Sequence, residues 1–513
     1  MNKTTILLDT SINKLVLYTN DPLIQPFLEK IERAYGYIPY QKRWGYSDRL
    51  VKIYENTRKT QYTLKNDPNG YTHKFIIGRG WVSYLLGVLK DNISKENWDY
   101  LCKEVLLMPS YRETPFDNLR DYQNSDVLFL LKYRTALLQV NTGWGKTEVL
   151  STLANYFRTA LGLNVLVVTP GKKARDEIVK RIKSRFGLDL ITEGSNQIGE
   201  FDSIITSGLM NSKRVKDQEK AKVFNDQLKK YQVVLSDEVE YCASNDGGKY
   251  IFDHCIGAIQ FIGVSGTADK ESAEQISFAQ GLSDVVTRNR DLITYFGPAL
   301  VYRLPVNLEV NNITIKTKAL DNIPLPPIET IEGSVYYEIT SMIWTYPDVI
   351  DILKKVIRKY PGAYIPINNL TKILNKWTQQ DFLGEFKMLL IYGKGYEYID
   401  LDGTRTMCDL PTVCNLMTTG KVDVVLSTSS GFRALDLPSL SNMVLIAGKV
   451  AGVTLQTIGR IARSRVMNII HFEALGGRRL PLYTKSAELR DSMLKTYYHY
   501  CDINDIEILE DEL

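Results

Sequence analysis

The chain has 513 residues, of which 44% are hydrophobic and 24% are charged. This composition excludes a disordered polyelectrolyte, and the length exceeds what one hydrophobic core supports, which predicts about three domains at roughly 150 residues each. The net charge of +4 is too small to identify a nucleic-acid partner. Residues 1–110 nevertheless hold 16 basic and 11 acidic side chains, so the N-terminal region is the better candidate for contact with a polyanion.

The spacing of the cysteines and histidines argues against a zinc site or a disulfide framework. The six cysteines form no C-x-x-C pair and the four histidines are dispersed. The adjacent His254 and Cys255 are better interpreted as two partly buried helix residues than as metal ligands. The sequence has no run of about 18 apolar residues, and its N-terminus lacks the apolar segment of a signal peptide. We therefore expect a cytoplasmic protein with no membrane partner.

The first region, residues 1–110, is predicted to be a small α+β accessory domain. Strand-like patterns cover residues 14–18, 50–54 and 74–77, and helical spacing of apolar residues follows over 82–89.

Two blocks of alternating strands and helices follow. Residues 111–302 contain short apolar strands that end in polar loops, namely LLQV, VLVVTP, SIITS, VVLSDE and IGVSGT. Residues 303–482 begin with a proline-rich linker over 305–327 and continue with AYIPI, MLLIYG, DVVLSTS, NMVLIAG and NIIHFEA. This alternation predicts an α/β fold with parallel sheets, whose chemistry lies at the C-terminal ends of the strands. Residues 483–513 are predicted to form a short helical extension and a solvated acidic tail.

The run QVNTGWGKT, residues 139–147, connects the first strand of this block to a predicted helix, which is the context of a phosphate-binding loop. Lys146 would reach the β- and γ-phosphates of ATP, and the Thr147 hydroxyl would hold Mg²⁺. Val140 departs from the strict pattern, which has glycine at that position. The expected nucleotide-binding residues of the loop are Thr142, Gly143, Trp144, Gly145, Lys146 and Thr147.

Two acids follow the buried strand VVLS. Asp237 would hold Mg²⁺ together with Thr147, and Glu238 would polarise the attacking water, because phosphoryl transfer depends on positioning and charge compensation. A solvated acidic turn is the alternative interpretation. The phosphate loop earlier in the chain favours the catalytic one.

These motifs, in this order, resemble those of superfamily 2 helicases, whose motor consists of two tandem RecA-like domains with ATP between them. The resemblance covers residues 119–465. It implies adenine recognition by Gln123, with Arg120 and, from the second domain, Asp436 in the nucleotide site. It also implies nucleic-acid contact by Thr169, Pro170, Thr206, Ser207 and Thr428, and coupling of hydrolysis to movement by Ser265 and Thr267.

The segment QTIGRIAR resembles the sixth motif of that family and supplies Gln456, Arg460 and Arg463. If the segment is helical, the two arginines lie three residues apart on one face and both can point at the γ-phosphate. An arginine finger of this kind contributes on the order of 10³–10⁵ in rate. A basic helix face in water is the alternative. Departures from the family pattern are Glu240 at the end of the acidic box and Ala434 in the fifth motif, and they place the subclass in question.

The segment over residues 42–54 resembles the one that precedes the motor in phage UvsW-like DNA helicases. Six basic residues between Lys42 and Lys59 are interleaved with Trp44, Tyr46 and Tyr54, a mixture that suits phosphate contact and base stacking. An accessory domain whose aromatics form its own core is an equal alternative.

The resemblance implies an ATP-dependent DNA helicase or translocase, encoded by a phage and acting in the host cytoplasm. It would be a monomer that remodels single-stranded or branched DNA in recombination, repair or replication. Three alternatives stay open: an RNA helicase, a motor subunit of a restriction or defence complex, and a binding scaffold without enzymatic activity.

Overall fold

A computed structural model describes most of the chain and divides it into two compact units, one ending at Tyr302 and the other starting at Arg303. The described residues are 4–11, 13–22, 61–89, 93–140, 144–189, 191–192, 201–205, 218–244, 246–266, 292–297, 299–302, 309–323, 340–367, 370–392, 395–428, 440–445, 465–476 and 501–513.

The first unit starts with a four-stranded antiparallel sheet in the order β1-β2-β4-β3. The elements are β1 (Thr4–Asp9), β2 (Lys14–Thr19), β3 (Gln61–Thr63), β4 (His73–Gly78), α1 (Val82–Leu89) and α2 (Lys95–Tyr100), which continues as a wider helical turn over Leu101–Leu106. Alternate residues such as Leu15, Leu17, Phe75 and Ile77 are buried in a common core with residues of α1, as the period of two in a half-buried strand requires. The predicted strands at 14–18 and 74–77 and the predicted helix are confirmed. The predicted strand at 50–54 lies outside the described residues.

The rest of this unit is a parallel seven-stranded sheet in the order β11-β5-β10-β9-β6-β8-β7. Its strands are β5 (Thr135–Val140), β6 (Val165–Thr169), β7 (Ile191–Thr192), β8 (Phe201–Ile205), β9 (Val233–Ser236), β10 (Gln260–Ser265) and β11 (Ala299–Tyr302). Its helices are α3 (Asp121–Leu131), α4 (Lys146–Asn155), α5 (Lys172–Phe186), α6 (Gln218–Leu228), α7 (Val239–Ser244) and α8 (Asp246–His254). Strands β5, β6, β9 and β10 are buried along their whole length. The predicted parallel RecA-like sheet is confirmed.

The second unit is built on a nine-stranded sheet in the order β16-β15-β14-β17-β13-β18-β19-β12-β20. The pairings β14–β15 and β15–β16 are antiparallel and the others are parallel. Its strands are β12 (Glu309–Thr317), β13 (Ala363–Ile367), β14 (Met388–Tyr392), β15 (Gly395–Ile399), β16 (Arg405–Cys408), β17 (Val424–Thr428), β18 (Asn442–Val444), β19 (Val466–Ala474) and β20 (Asp502–Leu509). Its helices are α9 (Pro347–Lys359), α10 (Leu370–Thr378) and α11 (Leu410–Thr418). All five strands predicted for this block are present.

Two predictions for the second unit need correction. Part of the expected linker over 305–327 is strand β12, which pairs with β19 on one side and β20 on the other. Ile313 and Ile315 are buried in one hydrophobic core and Val310 in another. Burial in both cores and pairing along both edges of the strand outweigh the prolines at either end.

The expected acidic tail is strand β20, at the edge of the sheet. Its acids are interleaved with Ile503, Ile506 and Ile508, and Ile508 is buried in the core of the unit. Pairing with β12 therefore buries apolar surface that a solvated tail would expose. The helical extension predicted over 486–500 lies outside the described residues. Among the described helices, none combines the length and the apolar character needed to span a membrane.

Candidate active site

The phosphate loop leads directly into helix α4, and Gly145 is the residue before that helix, with φ of +100°. A left-handed backbone at this point is readily adopted only by glycine. Trp144 is fully buried and packs edge-on against Tyr122, with 5.8 Å between ring centroids. The bulky residue of the loop therefore points into the protein, so that the backbone N–H groups at the start of α4 stay available for an anion.

Gln123 lies beside the loop and contacts it directly. Its Nε2 donates a hydrogen bond to the carbonyl oxygen of Trp144 (2.8 Å), and its Oε1 accepts one from the N–H of Arg120 (3.0 Å). The Arg120 guanidinium donates to the Tyr122 hydroxyl (2.7 Å). The residues expected to read adenine are thus placed against the phosphate loop.

The two acids lie at the C-terminal end of β9, on the same edge of the parallel sheet as the phosphate loop. Asp237 is buried, its N–H donates to the carbonyl oxygen of Val168 in β6, and its Oδ1 accepts from the N–H of Glu238 (3.0 Å). Glu238 has a φ of +40°, an uncommon conformation for a residue with a side chain. Strained backbone of this kind is concentrated at functional sites.

Lys146 and Glu238 form an ion pair, with 3.1 Å between Nζ and Oε1. Burial alone would lower the pKa of Lys146, but attraction from Glu238, Asp237 and Glu240 outweighs it and raises that pKa. Burial raises the pKa of Asp237 to about 7, and repulsion from Glu238 adds to this effect while Lys146 and the Glu238 N–H oppose it. Cationic charge supplied here would return Asp237 to its carboxylate form.

The residues at this edge fit a magnesium ion held mainly by a nucleotide. Asp237 and Thr147 offer a carboxylate and a hydroxyl, the hard oxygen ligands that Mg²⁺ prefers, and the ion commonly takes only one or two ligands from protein beside phosphates and water. Within the described part of the chain, no cluster of three or more His, Cys, Asp or Glu side chains could hold a metal by itself.

Three further predicted site residues lie at the same edge of this sheet. Thr169 ends β6 and is fully buried, Pro170 follows it, and Ser265 ends β10 and is also buried. Because β5, β6, β9 and β10 are parallel, their C-terminal ends meet at one edge. Among the described residues of the first unit, the structure therefore brings Thr169, Pro170 and Ser265 to the edge that carries Lys146 and Asp237.

The remaining predicted site residues belong to the second unit or lie outside the described residues. Thr428 ends β17 in the second unit. The predicted site residues that lie outside the described ranges are Thr142, Gly143, Thr206, Ser207, Thr267, Asp436, Gln456, Arg460 and Arg463.

One cluster next to the phosphate loop was not predicted from the sequence. Glu148, in the first turn of α4, pairs with Arg181 (3.2 Å) and with Arg185 of α5. Helix α5 begins just after Thr169 and Pro170. Glu148 therefore connects α4, which follows the phosphate loop, to α5, which follows the predicted nucleic-acid contacts Thr169 and Pro170. The partners are more than 30 residues apart, so no local sequence pattern predicts the pairing.

Comparison with known proteins identifies the same segment. Residues 120–276 match the family model described as DEAD/DEAH box helicase. Comparison with curated protein sequences gives no match. Among solved structures, the chain is similar to UvsW of T4, with 11% identity over 99% of this chain and 100% of that chain and a TM-score of 0.36. It is similar to Dbp5 of S. cerevisiae, with 14% identity, coverages of 83% and 96%, and a TM-score of 0.48. It is also similar to the helicase Lhr of Mycobacterium smegmatis, with 12% identity, coverages of 73% and 47%, and a TM-score of 0.43.

Proposed function

We propose, from the premise that this chain is a superfamily 2 helicase whose DEAD/DEAH box domain spans residues 120–276, that it couples ATP hydrolysis to unwinding or translocation on DNA. Its substrate would be single-stranded or branched DNA formed in recombination, repair or replication. Hydrolysis of ATP and action on nucleic acid follow from the family. The choice of DNA, the branched substrate, a monomeric state and a phage origin are the proposal.

The observation that carries the proposal is the contact between Lys146 and Glu238, 3.1 Å apart at the sheet edge. In a phosphoryl-transfer site the lysine binds phosphate and a polar side chain such as glutamate orients the attacking water, so both groups must reach one point. Bound ATP would replace Glu238 as the partner of Lys146 and leave the Glu238 carboxylate for the water. The Lys146–Glu238 ion pair would thus belong to the nucleotide-free site, and binding of ATP would break it.

The other roles follow from the same edge and from the second block. Thr147 and Asp237 would hold Mg²⁺, which supplies charge neutralisation at the β- and γ-phosphates. Gln123 and Arg120, with Asp436, would contact the nucleotide. We assign the γ-phosphate contacts to Arg460 and Arg463, with Gln456 beside them.

Nucleic acid would be held through its backbone by the loops after β6, β8 and β17. The residues involved are Thr169, Pro170, Thr206, Ser207 and Thr428, and movement would be coupled to hydrolysis through Ser265 and Thr267. Contact through phosphates implies little sequence preference and a strong dependence on salt.

The N-terminal sheet offers support for a second contact with nucleic acid. Tyr18 pairs with Lys74 across β2 and β4, and Lys74 pairs with Tyr62 across β4 and β3, so the three side chains form one row. The Lys74 Nζ lies 5.6 Å from the ring centroid of Tyr18 and 5.7 Å from that of Tyr62. The row is half-buried and lies on the face opposite Leu17 and Phe75. Tyrosine rings can stack bases while a lysine between them binds phosphate.

The test compares ATP hydrolysis by the full chain in the presence of oligo(dT) and of oligo(U) of equal length. We expect stronger stimulation by DNA, and loss of hydrolysis in Lys146→Ala with DNA binding retained. Strand separation on forked, four-way and R-loop substrates then identifies the natural structure. Stronger stimulation by RNA would overturn the choice of DNA, and unchanged activity of Lys146→Ala would indicate a scaffold.

The oligomeric part of the proposal has its own test. Light scattering on the active protein is expected to give a monomer of 58.5 kDa that separates forks unaided. A requirement for a nuclease or methylase partner would instead identify a motor subunit of a restriction or defence complex.

A further inference from the structure

The turn between β4 and α1 places an arginine in the junction between the N-terminal sheet and the parallel sheet of the same unit. Arg79 is flanked by Gly78 and Gly80, which press against the backbone of residues 292–297. A Cβ on Gly78 would lie 2.1 Å from the carbonyl oxygen of Thr294, and one on Gly80 would lie 1.7 Å from that of Ile293. The turn cannot move outward without losing these contacts. The Arg79 side chain is therefore held inside, with 5% of its surface exposed.

Only part of the buried guanidinium is used by protein groups. Nη1 donates to the Asn13 side-chain oxygen (2.6 Å) and to the carbonyl oxygen of Ala258 (3.1 Å). Nε and Nη2 are buried and have no hydrogen-bond partner among the residues that the structure describes. These two nitrogens form one edge of the guanidinium plane, with two parallel N–H groups that match a single anionic acceptor.

The nearby charges leave a positive excess around Arg79. The carboxylate of Asp253 is engaged by Lys14 (2.8 Å) and by the Tyr295 hydroxyl (3.0 Å). Burial, together with repulsion from Arg134, lowers the pKa of Arg79 to about 10. A buried cation without a counter-charge is costly, and here another cation increases that cost.

A small cavity adjoins this group. The centre of a water-sized sphere can occupy about 10 Å³ of it, so the cavity has room for one guest somewhat larger than a water molecule. It is lined by Asn13, Lys14, Arg79, Phe252, Phe261, Thr294 and Tyr295. Its described lining contains two cations and no carboxylate. Asp253 neutralises Lys14, so the charge of Arg79 remains and favours an anion over a neutral guest.

We propose that the Nε–Nη2 edge of Arg79 binds a single-atom anion of the size of chloride in this cavity. The ion would supply the missing counter-charge. It would also stabilise the junction, because the cavity is lined by residues of the N-terminal sheet (Asn13 and Lys14) and of the parallel-sheet region (Phe252, Phe261 and Thr294). An anion that binds only the folded state raises the unfolding temperature by an amount that grows with its concentration.

The first experiment measures thermal unfolding of the full chain at constant ionic strength while sodium chloride is replaced by sodium gluconate. We expect the midpoint to fall by several degrees as chloride is removed. Arg79→Met should lose this dependence because it keeps the length of the side chain and removes its charge. Arg112→Met is the matched control, since Arg112 is only half-buried and its Nε and Nη2 donate to the carbonyl oxygens of Thr114 and Pro115. The control should retain the chloride response.

A second experiment needs no variant and decides the matter if Arg79→Met does not fold. Crystals of the unaltered protein grown in sodium bromide should show an anomalous peak within hydrogen-bond distance of both Nε and Nη2. Absence of that peak would show that the cavity holds water only and would overturn the proposal. A chloride response that survives in Arg79→Met would overturn it as well. ATP hydrolysis serves as the independent readout of the proposed function, which neither result contradicts.

Discussion

Gln123 donates a hydrogen bond from its amide nitrogen to the carbonyl oxygen of Trp144 over 2.8 Å, while its amide oxygen accepts the N–H of Arg120. One side chain therefore joins the start of α3 to the phosphate loop. A Cβ on Gly145 would lie 2.4 Å from that amide nitrogen, so the contact requires glycine in the loop as well as glutamine beside it. The Trp144–Gly145 part of the loop is thus held against the start of α3 before any nucleotide binds.

Gln123→Glu is expected to raise the KM for ATP by about tenfold. The carboxylate keeps the shape of the amide and still accepts the Arg120 N–H, but it cannot donate to the Trp144 carbonyl. A buried polar group left unpaired costs about 1–3 kcal/mol. We expect this cost to disturb the loop, and so to weaken ATP binding, more than it slows the hydrolysis step. Steady-state kinetics measure KM and kcat separately. Gln380→Glu in the second unit is the matched control, and an unchanged KM in Gln123→Glu would contradict the supporting role.

The raised pKa of Asp237 predicts a dependence of stability on pH in the nucleotide-free protein. Its folded-state pKa of about 7 exceeds the value of about 3.9 in an unfolded chain. The folded state therefore favours the protonated carboxyl, and the free energy of unfolding should fall as the pH rises between these values and level off above the higher one. Asp237→Asn is neutral at every pH and should gain stability relative to the wild type from pH 5 to pH 7, and no more above it.

Urea unfolding in the presence of EDTA measures this difference at each pH. Asp176→Asn is the control, because Asp176 is a carboxylate with 63% of its side chain exposed, and its curve should run parallel to the wild type. A constant difference between Asp237→Asn and the wild type from pH 5 to pH 8 would mean that Asp237 is ionised throughout.

The ion pairs of Glu148 predict that α4 and α5 are energetically linked. Glu148→Gln removes the charge that Arg181 and Arg185 share, and we expect a loss of about 1 kcal/mol in unfolding free energy, since both arginines are partly exposed. We also expect weaker stimulation of ATP hydrolysis by DNA, with unstimulated hydrolysis retained. Arg175→Gln is the control, because Arg175 pairs with the exposed Asp176. Equal stimulation in Glu148→Gln and the wild type would exclude a coupling role.

The sequence predicted the parts of the fold that local patterns determine. The strands β5, β6, β9 and β10 are runs of apolar residues with a polar loop after each, and burial on both faces of a parallel sheet imposes that pattern. The loop before Lys146 and the acids Asp237 and Glu238 were predicted for the same reason, since each follows a strand and must lie at the C-terminal edge.

Features that depend on distant partners were not predicted. Strand β20 contains three acids within eight residues, which made the segment resemble a solvated tail despite its alternating isoleucines. Only pairing with β12 decides between strand and tail. Arg79 shows the same limitation, because its burial results from contact with residues 292–297, far away in sequence. No pattern over a few residues contains that information.

A row of asparagine amides crosses four parallel strands of the second unit and predicts a graded response to substitution. Asn504 donates to Asn311 (3.1 Å), Asn311 to Asn468 (2.9 Å), and Asn468 to Asn442 (2.8 Å). Asn442 is buried and Asn504 is exposed. Asn311→Asp removes a donor in the middle of the row and places a carboxylate against the Asn468 side-chain oxygen, at a cost of about 1–3 kcal/mol. Asn504→Asp makes the same chemical change at the solvent-exposed end of the row and should lower the free energy of unfolding by about 0.5 kcal/mol or less.

Urea unfolding of the full chain compares the two variants, which match in charge and volume. Each adds one negative charge to the same sheet, and Asn504→Asp also places its carboxylate beside Glu309, which accepts from Asn504 in the wild type (3.3 Å). An effect of charge alone would therefore destabilise Asn504→Asp at least as much as Asn311→Asp. A larger loss in Asn311→Asp therefore reports on the half-buried donor in the middle of the row. Equal losses in Asn311→Asp and Asn504→Asp would show that the row of amides contributes nothing beyond the backbone pairing of β12, β18, β19 and β20.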